Sequence, residues 1–140
     1  MATYLGFDFG TLHVGVAVGE SITGGARALA TIGPREWERL DALIAEWSPT
    51  ALVVGLPLDE DGSEQAITAR AQRYARAIAQ RSRLPVYTCD ERYSSLAANS
   101  ALAARGGPRP AGNDAEAARI ILEQWLSQAD TTATQTPPTR

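Results

Sequence analysis

Lysine is absent from this chain, and all thirteen basic residues are arginine. That absence excludes mechanisms built on a lysine amine, such as Schiff-base chemistry or the phosphate-binding lysine of a P-loop. Cys89 is the only cysteine, so no internal disulfide can form and no Cys/Cys or Cys/His cluster is available for structural zinc. Any metal must be held by oxygen. His13 is the only histidine, which leaves Ser-His-Asp and Cys-His nucleophile systems without a good starting point. No apolar run approaches the ~18 residues of a membrane span. The segment from Met1 to Phe9 lacks a basic stretch leading into an apolar run and a cleavage site. The expectation is a cytoplasmic protein with no membrane partner.

An excess of positive charge is missing too. Thirteen cations against sixteen acids give a net charge of −3 and a pI near 5.1, so no global field attracts polyanions, and a nucleic-acid partner would need a local basic patch. What is present is ordinary for a folded domain: 140 residues, 44% hydrophobic and 21% charged. A chain of this size buries roughly 70% of the surface its unfolded form exposes, enough for one core.

Leu5 to Phe9 and Leu12 to Val18 read as two strands of an antiparallel hairpin turning at Gly10-Thr11. In the second, Leu12, Val14, Val16 and Val18 alternate with His13, Gly15, Ala17 and Gly19, so one face is bulky and the other nearly bare. Gly6, Gly15 and Ala17 thus offer a surface on which a helix or ligand can approach the backbone, and His13 is expected there as a packed residue. A third strand follows Gly24-Gly25, near Ala26 to Ile32. From Glu36 to Trp47, apolar Trp37, Leu40, Leu43, Ile44 and Trp47 recur at helical spacing and stop before Ser48-Pro49. Ala51 to Leu56 is a continuous apolar run, suited to a strand buried on both faces.

Ser63 can cap a helix over Glu64 to Arg81 with Ile67, Ala71, Tyr74 and Ile78 inward. Val86 to Cys89 supplies another strand, and Ser94 to Ala104 is helical in composition, stopped by Arg105-Gly106-Gly107-Pro108. The last helix opens with Asn113 and Glu116 in a capping-box pattern, followed by the stripe Ala118, Ile121, Leu122 and Trp125. The expected architecture is α/β: a mixed sheet formed by an antiparallel meander plus parallel strands, with helices on both faces. Residues 1–128 would form the domain and 129–140 a disordered tail rich in Thr, Pro and Gln.

Three acids stand at marked places. Asp8 ends the first strand, a costly position for an idle carboxylate, although an Asp can also tie down a turn. Glu91 lies just past the strand ending at Cys89, where ligand-binding residues of open α/β sheets gather; pairing with Arg92 is the plainer reading. Asp114 suits a helix start by charge alone, yet its phase matches Ala118, Ile121 and Trp125 on the face that must meet the sheet. If the three converge, they form an all-oxygen site suited to Mg²⁺ or Mn²⁺, ions able to activate water and steady charge at a phosphodiester.

Taken in order, Gly6-Phe7-Asp8-Phe9-Gly10-Thr11 with Val14-Gly15-Val16-Ala17, Val54-Gly55-Leu56-Pro57-Leu58 with Asp61-Gly62-Ser63-Glu64, Asp90-Glu91-Arg92, and Asp114-Ala115-Glu116-Ala117-Ala118 with Ile121-Leu122 resemble the YqgF/RuvX family. That family is described as Holliday-junction resolvases and as the nuclease that matures the 5′ end of pre-16S ribosomal RNA. The resemblance runs from about Leu5 to Leu126. It implies an RNase H-like fold and a metal-dependent endonuclease whose catalytic and metal-binding acids fall on Asp8, Glu91 and Asp114. It also implies substrate contacts from Gly55, Leu56 and Pro57 and from Arg92, Arg105 and Arg109. The implied partners are structured RNA, including pre-rRNA and ribosomal subunit precursors, or branched DNA, bound by a monomer or a homodimer.

Departures are visible as well. Leu12 and His13 stand where similar members carry basic residues, and Gly106 to Gly112 is shorter and less basic than usual. Arg70, Arg73, Arg76, Arg81 and Arg83 could track a nucleic-acid backbone instead, or could simply be the solvated side of an amphipathic helix. Two other readings stay open: a non-catalytic RNA-binding assembly factor, and an actin-like or sugar-kinase-like ATPase, whose opening motif is similar but whose two domains exceed this length.

Overall fold

A computed structural model describes residues 2–57, 66–90 and 114–131. The elements run β1 (Thr3–Phe9), β2 (Val14–Glu20), β3 (Ala26–Ile32), α1 (Trp37–Trp47), β4 (Ala51–Leu56), α2 (Ala66–Ser82), β5 (Val86–Asp90) and α3 (Asp114–Thr131). The strands form one sheet in the order β3-β2-β1-β4-β5. β1 pairs antiparallel with β2 and parallel with β4; β2–β3 is antiparallel and β4–β5 parallel. This is the mixed sheet expected from the pattern, a meander extended by crossover strands.

The two sheet faces are built from different residues because side chains alternate along each strand. Leu5, Phe7, Val14, Val16, Val18, Leu52, Val54 and Val86 point to one face, where they pack with Leu40 of α1 and Tyr74, Ala75 and Ile78 of α2. Ala17 and Val53 point to the other, under Ala118, Ile121, Leu122 and Leu126 of α3. A Cβ placed on Gly6 would lie 2.8 Å from Leu122 Cβ, so α3 sits against bare backbone there. Glu123 Oε2 accepts a hydrogen bond from the Ala26 amide at 3.3 Å and ties the helix to β3. Trp125 meets Tyr4 and Tyr87 edge-on or tilted, each with ring centroids 5.1 Å apart. Burial beside Tyr87 pushes the Tyr4 hydroxyl's pKa up, and burial does the same to Tyr74.

Differences from the sequence expectation concern ends. β1 begins at Thr3, and β2 begins at Val14 rather than Leu12, so the connection is longer than the dipeptide Gly10-Thr11. Leu12 is therefore 77% exposed, and His13 is exposed instead of packed on the bare face. The alternation of Leu12 and His13 mimicked strand residues although neither gains a cross-strand partner. α3 continues to Thr131, past the 128/129 boundary. The Ser63 cap, the Ser94 to Ala104 helix and residues 132–140 of the tail lie outside the described residues.

Arg81 bonds Asp41 through Nε and Nη2 at 2.9 and 2.8 Å, clasping α2 to α1, and lies 5.6 Å from the Trp37 ring centroid. The guanidinium holds the Asp41 carboxyl below its usual range. A carboxyl lowered in the folded state stabilises the protein above the unfolded pKa of about 3.9, and that contribution fades as pH falls through the folded pKa. Arg81→Ala should accordingly reduce the loss of stability between neutral pH and pH ~3 in urea titrations; an unchanged pH profile would contradict the pairing. Phe7, fully buried, should cost about 3–5 kcal/mol when replaced by Ala, read by the same denaturation.

Candidate active site

One residue before its end, β1 carries a carboxylate where a sheet interior would ordinarily carry an apolar side chain. Asp8 is 5% exposed and is in register with Gly15 of β2 on one side and Gly55 of β4 on the other. Thr31 pairs with Gly15 and Cys89 with Gly55. Cross-strand partners share a face, so Thr31, Gly15, Asp8, Gly55 and Cys89 form a row across all five strands. It shares the face of Gly6 and Tyr4, the face covered by α3. Glycine on both flanks keeps the neighbours of Asp8 free of side-chain bulk.

The start of α3 rests on this row. A Cβ built on Gly15 would fall 1.8 Å from the Asp114 carbonyl oxygen and 2.7 Å from the Ala115 amide nitrogen. No residue other than glycine fits beneath that backbone. Asp114, half-buried, thus begins its helix directly above the cross-strand neighbour of Asp8. The helix start also adds partial positive charge near the carboxylates, which favours a nearby anion such as a phosphate. Further along the helix, Arg119 bonds Glu116 at 3.0 Å and pairs with Glu123 at 2.9 Å, and these acids hold its pKa up. Its charge is already committed to its own helix.

The structure therefore brings Asp8, Asp114 and Gly55 to one end of one face. Leu56 and Pro57, both half-buried, follow Gly55 at the same end. The buried Thr68 hydroxyl donates to the Pro57 carbonyl and fastens the end of β4 to α2. Glu91, Arg92, Arg105 and Arg109 lie outside the described residues; Cys89 and Asp90, which directly precede Glu91, close β5. Among the described residues no cluster of three or more His, Cys, Asp or Glu stands ready to hold a metal. The sequence pattern marks Cys89 only as the one cysteine and not as a neighbour of the site; its place in the row follows from strand alternation once β5 is set in register with β4.

A mixed five-stranded sheet with helices in this arrangement is an RNase H-like fold, and comparison with solved structures agrees on the fold. The chain superposes on Thermus thermophilus RuvC in complex with a Holliday junction substrate with a TM-score of 0.62 at 20% identity, covering 99% of this chain and 100% of that one. A second RuvC structure from the same organism gives a TM-score of 0.54 at 19% identity. Residues 2–128 match the model of the family described as "RuvX: Holliday junction resolvase". A Pseudomonas paraeruginosa protein named "Putative pre-16S rRNA nuclease" is 46% identical over 131 residues, covering 89% of this chain and 91% of the relative. An Azotobacter vinelandii protein of the same name is 45% identical, with 89% and 92% covered. The chain belongs to the RuvX family.

Gly15→Ala tests the seat of α3. Forcing a methyl beneath the helix start should cost about 1–3 kcal/mol, the range for overpacking. Gly25→Ala, whose added methyl would meet only Thr23 Oγ1 at 3.7 Å, should change little. Equal denaturation midpoints for the two variants would contradict the close approach.

Proposed function

We propose that this protein is a metal-dependent endonuclease that processes the 5′ end of pre-16S rRNA, with Asp8, Glu91 and Asp114 as its catalytic acids. The observation that carries the reading is the buried Asp8 between Gly15 and Gly55 with the start of α3 laid on Gly15. A carboxylate so placed, with room beside it and a second acid above the adjacent strand, fits an oxygen-ligand site. Relatives at 45–46% identity that cover about nine-tenths of both chains favour the ribosomal substrate over four-way DNA. The junction-bound neighbour, at 20% identity, speaks for the fold. Holliday-junction resolution is the second reading because the family description names it.

Asp8, Asp114 and Glu91 would hold one or two Mg²⁺ or Mn²⁺ ions, whose oxygen-only preference matches the donor set. Such ions, when bound, lower the pKa of water and stabilise charge on a phosphodiester. The protein's own part is placement. β1 fixes Asp8 in the sheet, and Gly15 sets the height of Asp114. The Gly55-Leu56-Pro57 segment, fastened by Thr68, forms a backbone wall beside the acids against which the substrate strand would lie. Arg92, Arg105 and Arg109 would supply phosphate contacts. The described residues contain no helix long and apolar enough to cross a membrane. The proposed setting, which follows from a ribosomal precursor as substrate, is the cytoplasm.

The test is cleavage of precursor rRNA and of a synthetic four-way junction, side by side, with Mg²⁺ or Mn²⁺. The wild-type protein should cut the RNA and leave 5′-phosphate and 3′-hydroxyl ends. Asp8→Asn, nearly isosteric, should lose at least about a hundredfold in rate, the scale of removing a main electrostatic group, while keeping its circular dichroism spectrum. Cutting of the junction alone would move the assignment to the second reading. Undiminished cleavage by Asp8→Asn would overturn the site, and RNA binding without cleavage would favour the assembly-factor reading.

A further inference from the structure

We propose that the groove between the β1–β2 turn, the β3–α1 connection and α2 binds a single RNA strand by its phosphates, as a second docking site for the flank of the substrate; the proposal rests on the nuclease reading above. The groove has a volume of about 740 Å³, and its walls include Phe9, Leu12, Arg35, Arg70, Arg73 and Tyr74.

Charge accounting singles this groove out in an acidic protein. Of the nine arginines among the described residues, Arg39, Arg81 and Arg119 form ion pairs with acids. Arg35, Arg70 and Arg73 pair with no acid among the described residues, and all three are exposed. Arg70 and Arg73, three positions apart, share one face of α2, and Arg35 stands across from them on the approach to α1. One acid, Glu36, also lines the groove, but its Oε1 accepts from the Gly33 amide at 2.6 Å and from Arg39 at 3.4 Å. Three cations thus converge where the only lining carboxylate among the described residues is already engaged. Three convergent guanidiniums facing water suit a polyanion better than an apolar ligand.

Position identifies which polyanion. Phe9 follows Asp8 directly and points to the opposite sheet face, so the groove and the acids meet at the same end of β1, separated by the β1–β2 turn. A strand leaving Asp8 over Gly10 and Thr11 enters the groove. The thickness crossed is on the order of 10 Å, about three nucleotides at ~3.4 Å each. Leu12, exposed at the rim, offers an apolar surface to a base rather than a charge to a phosphate. Arg81, clasped to Asp41, and Arg76, outside the groove lining, take no part.

The experiment is fluorescence anisotropy with a fluorescein-labelled oligouridine over a series of salt concentrations. It uses the full chain carrying Asp8→Asn, without divalent ions, so binding is read independently of cleavage. Adding Arg35→Ala, Arg70→Ala and Arg73→Ala should weaken binding about tenfold or more and flatten the log–log salt slope by about 2, at ~0.7 for each phosphate of a single strand that is no longer neutralised. Arg76→Ala should leave both unchanged. Leu12→Arg, a gain at the rim that does not depend on a damaged variant, should tighten binding and steepen the slope by ~0.7. Failure of the parent to bind, an unchanged triple variant, an Arg76→Ala loss equal to that of the triple variant, or a Leu12→Arg variant no tighter than the parent would each overturn the groove. The nuclease reading stands or falls on the cleavage assay alone.

Discussion

The close approach of the first residue of α3 to the backbone of Gly15 governs the geometry of the rest. A helix normally stands off a sheet by the length of the side chains between them. Here glycine at positions 6, 15 and 19 removes that spacer along one line of the sheet, and the helix backbone descends onto β2. The consequence is electrostatic as well as steric: an acid at the helix start is lowered to the level of an acid in the sheet. A second acid-bearing residue thereby stands over the strand beside Asp8, which is the placement the proposed cation site requires.

The opposite face of the sheet shows the other half of the design. There the strands present Leu, Val and Phe, and α1 and α2 close over them in an ordinary apolar core. Stability is concentrated on that side, where fully buried Leu, Phe and Ile side chains contribute about 1.5–3 kcal/mol each. On the α3 side the strands present Gly6, Gly15, Ala17 and Gly19 to the helix, with Asp8 at one end. A sheet with one face packed by bulky strand side chains can hold a buried carboxylate on the other without losing its register, because register is fixed wherever one face is buried.

Much of this was legible in the sequence because strand and helix periods leave plain marks. The alternation Val14-Gly15-Val16-Ala17-Val18 announced both the bulky face and the bare one, and the stripe Ala118, Ile121 and Leu122 announced the helix face that covers the bare one. The limits of β3 and β4 also followed from the pattern. What escaped was set by partners rather than by pattern. Leu12 and His13 look like strand residues, yet the pairing of β1 with β2 starts only at Val14, opposite Phe9. Cys89 beside Gly55 is a matter of strand register, which no single run of residues encodes. That Arg70 and Arg73 face a groove while Arg81 is spent on Asp41 depends on where α1 falls relative to α2, a tertiary fact invisible in a helical wheel.

In the proposed active site a divalent ion would be held by carboxylates from β1 and the start of α3. The most direct measurement is anomalous diffraction at the manganese edge from crystals grown with Mn²⁺. The expected result is an anomalous peak at the carboxylates of Asp8, Glu91 and Asp114. A well-ordered site with these carboxylates turned apart and no peak between them would contradict it.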